Sequence, residues 1–384
     1  MNKPSGLSAS LQYPVERVPE VTEQIQVCEG IDWIRLPLPF ALDHINCWLL
    51  GEPGQQTLID TGVGTSHGKR LWQTHFGADS GASGQLSGDE VLANAPAHLL
   101  VTHFHPDHIG LARWFSESGT TLSGSAIEIE LACELHNLDD QFYAQRTAAW
   151  YAQHGLPSSD IERVLMHGNS YRTVALKPPP SADWQLLNEG DTLQIGGAAY
   201  EVLIGCGHAP HMIMLYRATD HVLIAADQVL PLISPNVSVM PHLVDKNPLH
   251  SFLGSLDKLK DLPADTLVLP SHGVPFRGLH AHIEQLQQHH VERLEEVYKA
   301  CARSVTAFEL FAVLFKRKLD AQQTSFALGE ALAHLHYLEA CGDVIRDPAN
   351  ASDAQEQSDG NSLPDGDINA MQDVQTVRFV QAAH

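Results

Sequence analysis

Short apolar runs broken by glycine and proline fill residues 25–64. "IQVCEGIDWIRLPL", "HINCWLLG" and "QTLIDTGVG" predict the strands of a β-meander. "HLLVTH" (98–103) predicts one more short, buried strand. From 111 to 180 the period becomes helical: "SAIEIELACELHNL" and "FYAQRTAAWYAQHG" repeat apolar residues at helix spacing, and "KPPP" (177–180) ends the stretch. Strands resume in "DTLQIGGAAYEVLIG", "HVLIAAD" and "DTLVLPSHG", with the helix "PLHSFLGSLDKLKDL" between the last two. Strands alternating with helices after an opening meander predict an α/β sandwich.

Beyond about residue 280 the pattern is helical throughout. "AHIEQLQQHHVERLEEVYKACA" is a long amphipathic helix. "TAFELFAVLF" opens with Thr306 and Glu309 in capping-box spacing, and "SFALGEALAHLHYLEACG" stops at Gly342, which suits a left-handed cap. The expected organisation is a flexible N-terminal arm (1–20), a main domain (21–280) with a helical insertion at about 111–180, a small helical or winged-helix-like appendage (281–346) and a disordered acidic tail (347–384). "SGASGQLSGDE" (80–90) reads as a surface loop.

Composition narrows the partners. The 384 residues carry 46 acidic against 23 basic side chains, a net charge of −23. A field of that sign repels phosphate backbones and anionic lipid, so no nucleic-acid or membrane partner is expected. "FKRKL" (315–319) is the only basic cluster in the appendage. No run of 18 apolar residues occurs, and "MNKPSGLSASLQYP" lacks the pattern of an export signal. The six cysteines form no C-x-x-C pair and read as free thiols of a reducing compartment, which makes the expected location cytoplasmic.

Histidine is the outlier, with 23 copies. "LLVTHFHPDHIG" (99–110) places His103, His105, Asp107 and His108 within six positions at the end of a predicted strand. Residues at i and i+2 share a face, so His103 and His105 point together, while Asp107 and His108 on the following turn serve a second position. Further ligands then belong on loops at the same end of the sheet. "EVLIGCGHAPH" supplies His208, "HVLIAADQV" supplies Asp227 and "DTLVLPSHGVP" supplies His272. Chance matches to H-x-H-x-D-H number on the order of 0.005 per chain of this composition. His289, His290, His334 and His336, in helices without such partners, read as packing or surface residues.

The set His103-x-His105-x-Asp107-His108, Gly207-His208, Asp227 and Ser271-His272-Gly273 resembles the metallo-β-lactamase superfamily over roughly residues 25–280. The resemblance implies an αββα sandwich with a dinuclear metal site at one edge. His103, His105 and His208 would take the first metal, Asp107, His108 and His272 the second, and Asp227 would bridge both. "LIDTG" (58–62) is similar to an early strand motif of the family whose aspartate, here Asp60, shapes the loop near the site. His105 in the second motif position favours a hydrolase over a redox di-iron centre. Where many relatives read "PGHTPGH", this chain reads "CGHAPHM", making Cys206 and His211 unusual neighbours of His208.

The implied cofactors are two Zn2+ ions per chain, with iron or manganese as alternatives. Two such ions lower the pKa of a bridging water to about 7. The expected activity is metal-dependent hydrolysis of a small acyl substrate, a thioester, ester or lactone, with Asp107 orienting the nucleophile. The alternatives are a phosphodiesterase or ribonuclease of the same fold, and a mononuclear iron enzyme of the persulfide dioxygenase type. Phe142, Tyr143, Trp150, Tyr151 and Tyr171 in the insertion, His44 in "LPFALDHIN" and "PLISPNVSV" (231–239) are the candidate walls of a substrate pocket. The appendage is expected to serve either as a homodimer surface or as one wall of the pocket.

Overall fold

The computed structural model describes residues 11–77, 91–315, 319, 321–348 and 375–382. The loop expected at 80–90, the basic core of "FKRKL" and most of the acidic tail lie outside the described residues. The strands are β1 (Ile25–Cys28), β2 (Ile31–Pro37), β3 (His44–Leu50), β4 (Thr57–Ile59), β5 (His98–Leu100), β6 (Thr121–Gly124), β7 (Trp184–Leu186), β8 (Thr192–Ile195), β9 (Ala198–Gly205), β10 (Met212–Arg217), β11 (Val222–Ala226), β12 (Leu267–Pro270), β13 (Phe276–Arg277), β14 (Val344–Arg346) and β15 (Phe379–Gln381). The helices are α1 (Ser66–Phe76), α2 (Pro106–Ile109), α3 (Ala112–Glu117), α4 (Ala126–Asn137), α5 (Asp140–Gln153), α6 (Ser158–His167), α7 (Tyr171–Val174), α8 (Pro248–Leu259), α9 (Leu279–Ala300), α10 (Phe311–Leu314) and α11 (Ala321–Cys341). Among the described residues, no helix is long and apolar enough to cross a membrane.

Two compact units emerge. The first comprises Met1–Asn137, Ser170–Pro235 and Gly254–Gln285; the second comprises Leu138–Asn169, Asn236–Leu253 and Leu286–His384. The first unit is built on two sheets. One has the order β1-β2-β3-β4-β5-β6-β7, antiparallel up to β4 and parallel from β4 to β7. The other has the order β13-β12-β11-β10-β9-β8, in which only β11 and β12 pair in parallel.

A single apolar core fills the space between the sheets. Trp33 and Trp48 sit opposite each other on β2 and β3, rings stacked at 5.8 Å. They pack with Ile59 and Leu100 of the same sheet and with Tyr200, Val202, Ile204, Leu215, Ile224 and Leu269 of the other. Burying a side chain of this size contributes about 1.5–3 kcal/mol. The α/β sandwich expected from the sequence is therefore present. Four strands of the two sheets are additions to that reading, among them the short β7 and β13. β6 lies inside the stretch expected to be helical, and β10 ("MIMLYR") is buried along its whole length, so no polar alternation marks it.

Sheet order also places the loop ends. β9 runs antiparallel to β10, which runs antiparallel to β11, which runs parallel to β12. The C-terminal ends of β9, β11 and β12 therefore share one edge. Ile213 N–H donates to the Thr102 carbonyl beyond β5 (2.9 Å), and Asn46 N–H on β3 donates to the Ser271 carbonyl beyond β12 (2.7 Å), so the corresponding edge of the other sheet meets it there.

In the second unit, Thr306 and Glu309 form the expected reciprocal capping box, Thr306 N–H to Oε2 at 2.8 Å and Glu309 N–H to Oγ1 at 3.1 Å. The helix that follows is only the single turn α10, shorter than "TAFELFAVLF" predicts. Gly342 ends α11 at φ 81°, as its position suggested. Part of the expected tail forms a strand: β15 pairs antiparallel with β14, and Phe379 exchanges backbone hydrogen bonds with Val305. Phe379 is fully buried, so an apolar anchor offsets the low hydrophobicity of the segment before it.

Two predictions follow from this unit. Phe379→Ala is expected to cost about 3–5 kcal/mol in urea unfolding, the range for emptying a buried phenylalanine site; an unchanged midpoint would contradict the anchoring role. Burial pushes His154 and His290 down to about 3 and His334 to about 4, while burial pushes Glu330 up to about 7. Below pH 6.5 the unfolded histidines take up protons that the folded ones refuse, each weakening the fold by at most about 1.4 kcal/mol per pH unit. Glu330 acts oppositely, holding when folded a proton that the unfolded chain releases above pH 4.5. Three groups against one give a net loss on acidification, measurable as faster amide exchange in α11 peptides at pH 5.5 than at 7.5 after correction for intrinsic rates.

Candidate metal centre

All seven sequence-predicted site residues come together at this edge. His103 follows β5, and His105 is the N-cap of α2 in extended conformation (φ −60°, ψ 143°). Pro106 at the first helical position fixes φ and needs no N–H partner, so the chain turns at once and lifts Asp107 and His108 onto one short helix. His208 lies between β9 and β10, Asp227 directly after β11, and His272 two residues after β12. One group able to hold an ion is His103, His105, His208 and Asp227; the other is Asp107, His108 and His272, with ligand atoms in each group within 4.8 Å of one another. Asp227 Oδ2 faces both groups, 3.3 Å from His208 Nε2, 3.4 Å from His272 Nε2 and 3.6 Å from His108 Nε2. Asp107 Oδ2 stands 3.5 Å from His272 Nε2 and 3.7 Å from His108 Nε2, and its side chain is 16% exposed against 6% for Asp227, so it forms the open side.

Hydrogen bonds on the far side of the rings decide which nitrogen faces inward. Asp60 Oδ2 accepts from His108 Nδ1 (2.7 Å), and the His44 carbonyl accepts from His272 Nδ1 (2.7 Å). Thr102 Oγ1 donates to Asp60 Oδ2 (2.9 Å), which leaves its lone pair to accept from His103 Nδ1 at 3.0 Å. Each of these rings therefore carries its proton on Nδ1 and turns the Nε2 lone pair toward the centre. His108 Nε2, His272 Nε2 and Asp227 Oδ1 are buried with no hydrogen-bond partner. Inward lone pairs, orphaned acceptors and a nitrogen–oxygen donor set fit divalent metal ions.

Charge points the same way. Burial alone would depress His108, but the Asp60, Asp107 and Asp227 carboxylates outweigh it and raise this ring well above its usual value. His272 is likewise raised by Asp227 despite its burial. Burial opposes ionisation of Asp227, yet His272 and His108 hold it well below the ordinary carboxylate range. Burial and the neighbouring His108 and His105 push His103 well down. The centre thus demands positive charge beside Asp227, which protons supply without metal and which metal binding would displace.

Asp60 acts as the sequence implied. It adopts φ 63° and also accepts from Thr102 N–H at 2.8 Å. His44 reaches the His272 loop twice, through its carbonyl and through Nε2, which accepts from Gly273 N–H at 2.7 Å. Cys206 packs against the core, and its N–H donates to Ser255 Oγ at 2.9 Å. His211 Nδ1 meets Ser125 Oγ at 2.8 Å. In "PLISPNVSV", Leu232 and Ile233 are exposed, and Pro231 lies where a side chain at Gly273 would clash. Of the five insertion aromatics, Tyr171 belongs to the first unit, where its hydroxyl donates to the Phe104 carbonyl (2.6 Å) between two candidate ligands; Phe142, Tyr143, Trp150 and Tyr151 belong to the second.

Sequence reasoning missed two residues. Asn46 donates from Nδ2 to the carbonyls of Pro270 (2.8 Å) and Gly273 (3.2 Å), clamping the His272 loop. Glu128 on α4 is buried and accepts from Phe104 N–H and His211 N–H; burial pushes its carboxyl up to about 7. Its signal in the sequence is an acidic residue on the face of α4 that otherwise carries Ile129, Leu131, Ala132 and Leu135.

Asp60→Asn is expected to weaken one of the bound ions 10–100-fold or so, the usual effect of losing a ligand's outer partner. Zinc titration against a chromophoric chelator measures it; wild-type affinity at both positions would contradict the role of Asp60.

The sequence profile of the metallo-beta-lactamase superfamily matches residues 41–272, and that of a metallo-beta-lactamase-like C-terminal domain matches 294–353. The crystal structure of a beta-lactamase domain protein from Burkholderia ambifaria is similar at 34% identity and TM-score 0.79, covering 97% of this chain and 98% of that one. The probable metallo-hydrolase YqjP of Bacillus subtilis is 26% identical over 326 residues, 81% of this chain and 93% of YqjP. The human acyl-coenzyme A thioesterase MBLAC2 is 24% identical over 250 residues, 64% of this chain and 78% of that protein. With the profile match covering more than half of its length, the chain belongs to the metallo-beta-lactamase superfamily of hydrolases.

Proposed function

We propose that this enzyme hydrolyses small acyl substrates, thioesters foremost, with two zinc ions held at the centre. His103, His105 and His208 hold the first ion, Asp107, His108 and His272 hold the second, and Asp227 bridges them. The observation that carries this reading is the position of Asp227 Oδ2, within 3.3–3.6 Å of imidazole nitrogens from both groups. When bound, two such ions supply Lewis acidity, acidifying water to about neutral pH and polarising the oxygen of an electrophile.

The protein's own groups do the positioning. Asp227, ionised and buried, accepts hydrogen bonds from water and fixes the direction of its attack. Asp107, on the open side, orients the nucleophilic water toward the substrate. His44 and Asn46 keep the His272 loop from shifting as charge develops, because they hold its backbone by four hydrogen bonds. Thioesters are favoured over phosphate esters on two grounds: a relative carries acyl-coenzyme A thioesterase activity in its name, and a net charge of −23 disfavours polyanionic nucleic acid. Two complete ligand groups support two ions over the single iron of a persulfide dioxygenase.

The test is a panel of a thioester, an aryl ester, a lactone and a bis-aryl phosphodiester, offered to the zinc-loaded protein. Turnover is expected for the acyl compounds, with Asp227→Ala losing at least about a hundredfold in kcat/KM together with bound zinc. Turnover confined to the phosphodiester would overturn the acyl assignment, and full zinc retention by Asp227→Ala would overturn the bridging one.

A further inference from the structure

Glu128 has a place in the fold that packing does not explain. Its residue is 1% exposed, on the inward face of α4, where an apolar side chain would cost less to bury. Both carboxylate oxygens are used. Oε2 accepts from Phe104 N–H at 3.0 Å, and Oε1 accepts from His211 N–H at 2.5 Å. Phe104 lies between His103 and His105 beyond β5, and His211 lies three residues after His208 in the loop between β9 and β10. One carboxylate thus joins the ligand loops of two different sheets.

The neighbouring contacts converge on the same two loops. Ser125, at the start of α4, holds the His211 ring through Oγ to Nδ1 (2.8 Å), and Tyr171 holds the Phe104 carbonyl (2.6 Å). The carboxylate that serves the other group is Asp60, which bonds His108 directly. Asp60 bonds a ligand of the Asp107–His108–His272 group directly and reaches His103 only through Thr102, whereas Glu128 joins the backbones of the His103–His105 and His208 loops to each other.

We propose that Glu128 is a positioning residue for the first ion, setting the separation between the His103/His105 loop and the His208 loop. The inference rests on the metal-centre reading above. No strand pairing ties the two loops, since β5 and β9 belong to different sheets; beside the Glu128 bonds, the Ile213 N–H to Thr102 carbonyl bond is the backbone contact that joins them. A shift of either loop by a few tenths of an ångström takes imidazole nitrogens out of a tetrahedral set, whereas the second group has its own clamps in Asp60, His44 and Asn46. Glu128→Gln keeps the volume and one acceptor oxygen but turns an amide NH2 toward one of the two backbone N–H groups, replacing an attraction with a repulsion.

The experiment compares wild type, Glu128→Gln, Glu128→Ala and His103→Ala as full-length chains. Zinc affinity is read by chelator competition, and the coordination sphere by the visible d–d spectrum of the cobalt-substituted proteins. Glu128→Gln is expected to weaken one of two bound ions 10–100-fold or so, leave the other at wild-type affinity, and alter the cobalt spectrum while the melting temperature of the metal-free protein changes little. Glu128→Ala is expected to do the same more strongly. Two ions at wild-type affinity with an unaltered cobalt spectrum in both Glu128 variants would overturn the proposal. Equal weakening of both ions, or loss of cooperative unfolding in both variants, would overturn it in favour of a general role in folding. If His103→Ala also kept two ions, the failure would belong to the metal-centre reading and not to Glu128.

Discussion

The Asp60 carboxylate accepts three hydrogen bonds, from Thr102 N–H, Thr102 Oγ1 and His108 Nδ1. Most of the site's geometry depends on that arrangement. Aspartate tolerates the left-handed backbone better than most side chains, and at φ 63° its carboxylate turns back across β5 from the end of β4. Fixing Thr102 orients the His103 ring, and fixing His108 Nδ1 leaves its other nitrogen facing Asp227. The same segment is locked from behind. Thr61 N–H and Oγ1 both donate to the His108 carbonyl, and Gly110 passes so close to Gly64 that a Cβ there would meet its nitrogen at 2.5 Å. The apolar core beneath can vary in detail without moving the ligands, whereas this polar knot cannot.

What the sequence made legible follows from where each signal resides. The ligand motif is local: four residues within six positions, each with chemistry few other roles require. Its distant partners were found because each follows an apolar strand, and the shared edge arises from the parallel relation of β9, β11 and β12. A strand with one wetter face was equally plain, since β9 alternates between buried and less buried positions from Ala199 to Ile204. β10 escaped because both its faces are covered, leaving a six-residue apolar run with no period. β6 escaped because four residues inside a helical stretch cannot outweigh their surroundings. β15 escaped because one buried phenylalanine, Phe379, anchors a segment whose average composition is that of a disordered chain.

The supporting residues were hidden for a different reason. Asn46 contacts residues 224 and 227 positions away, and Glu128 contacts one 83 positions away, always through backbone atoms. A backbone N–H or carbonyl has no identity in the sequence, so its partner cannot be inferred from the residue that carries it. Glu128 is visible in the sequence only as an acidic interruption on an apolar helix face, which is also how an ordinary solvated position looks. Burial separates the two, and burial is a property of the fold.

That distinction limits where this centre can adapt to a substrate. Asp60, Thr102, Asn46 and Glu128 hold the loops that carry the candidate ligands, and on the proposed reading a change there alters ion affinity before it alters selectivity. Leu232 and Ile233 are under no such obligation: both are exposed, and they follow the residue packed against Gly273, beside His272. His211 stands between these cases, its N–H and Nδ1 committed to Glu128 and Ser125 while the rest of its ring is half-buried. Of the departures from "PGHTPGH", the one at His211 falls at a residue whose backbone N–H is held by Glu128, so only the outer edge of its ring remains to meet a substrate. In this chain the groups that hold the loops and the groups that face outward are different atoms, at His211 of the same residue, so on the proposed reading the outward ones can change without moving the candidate ligands.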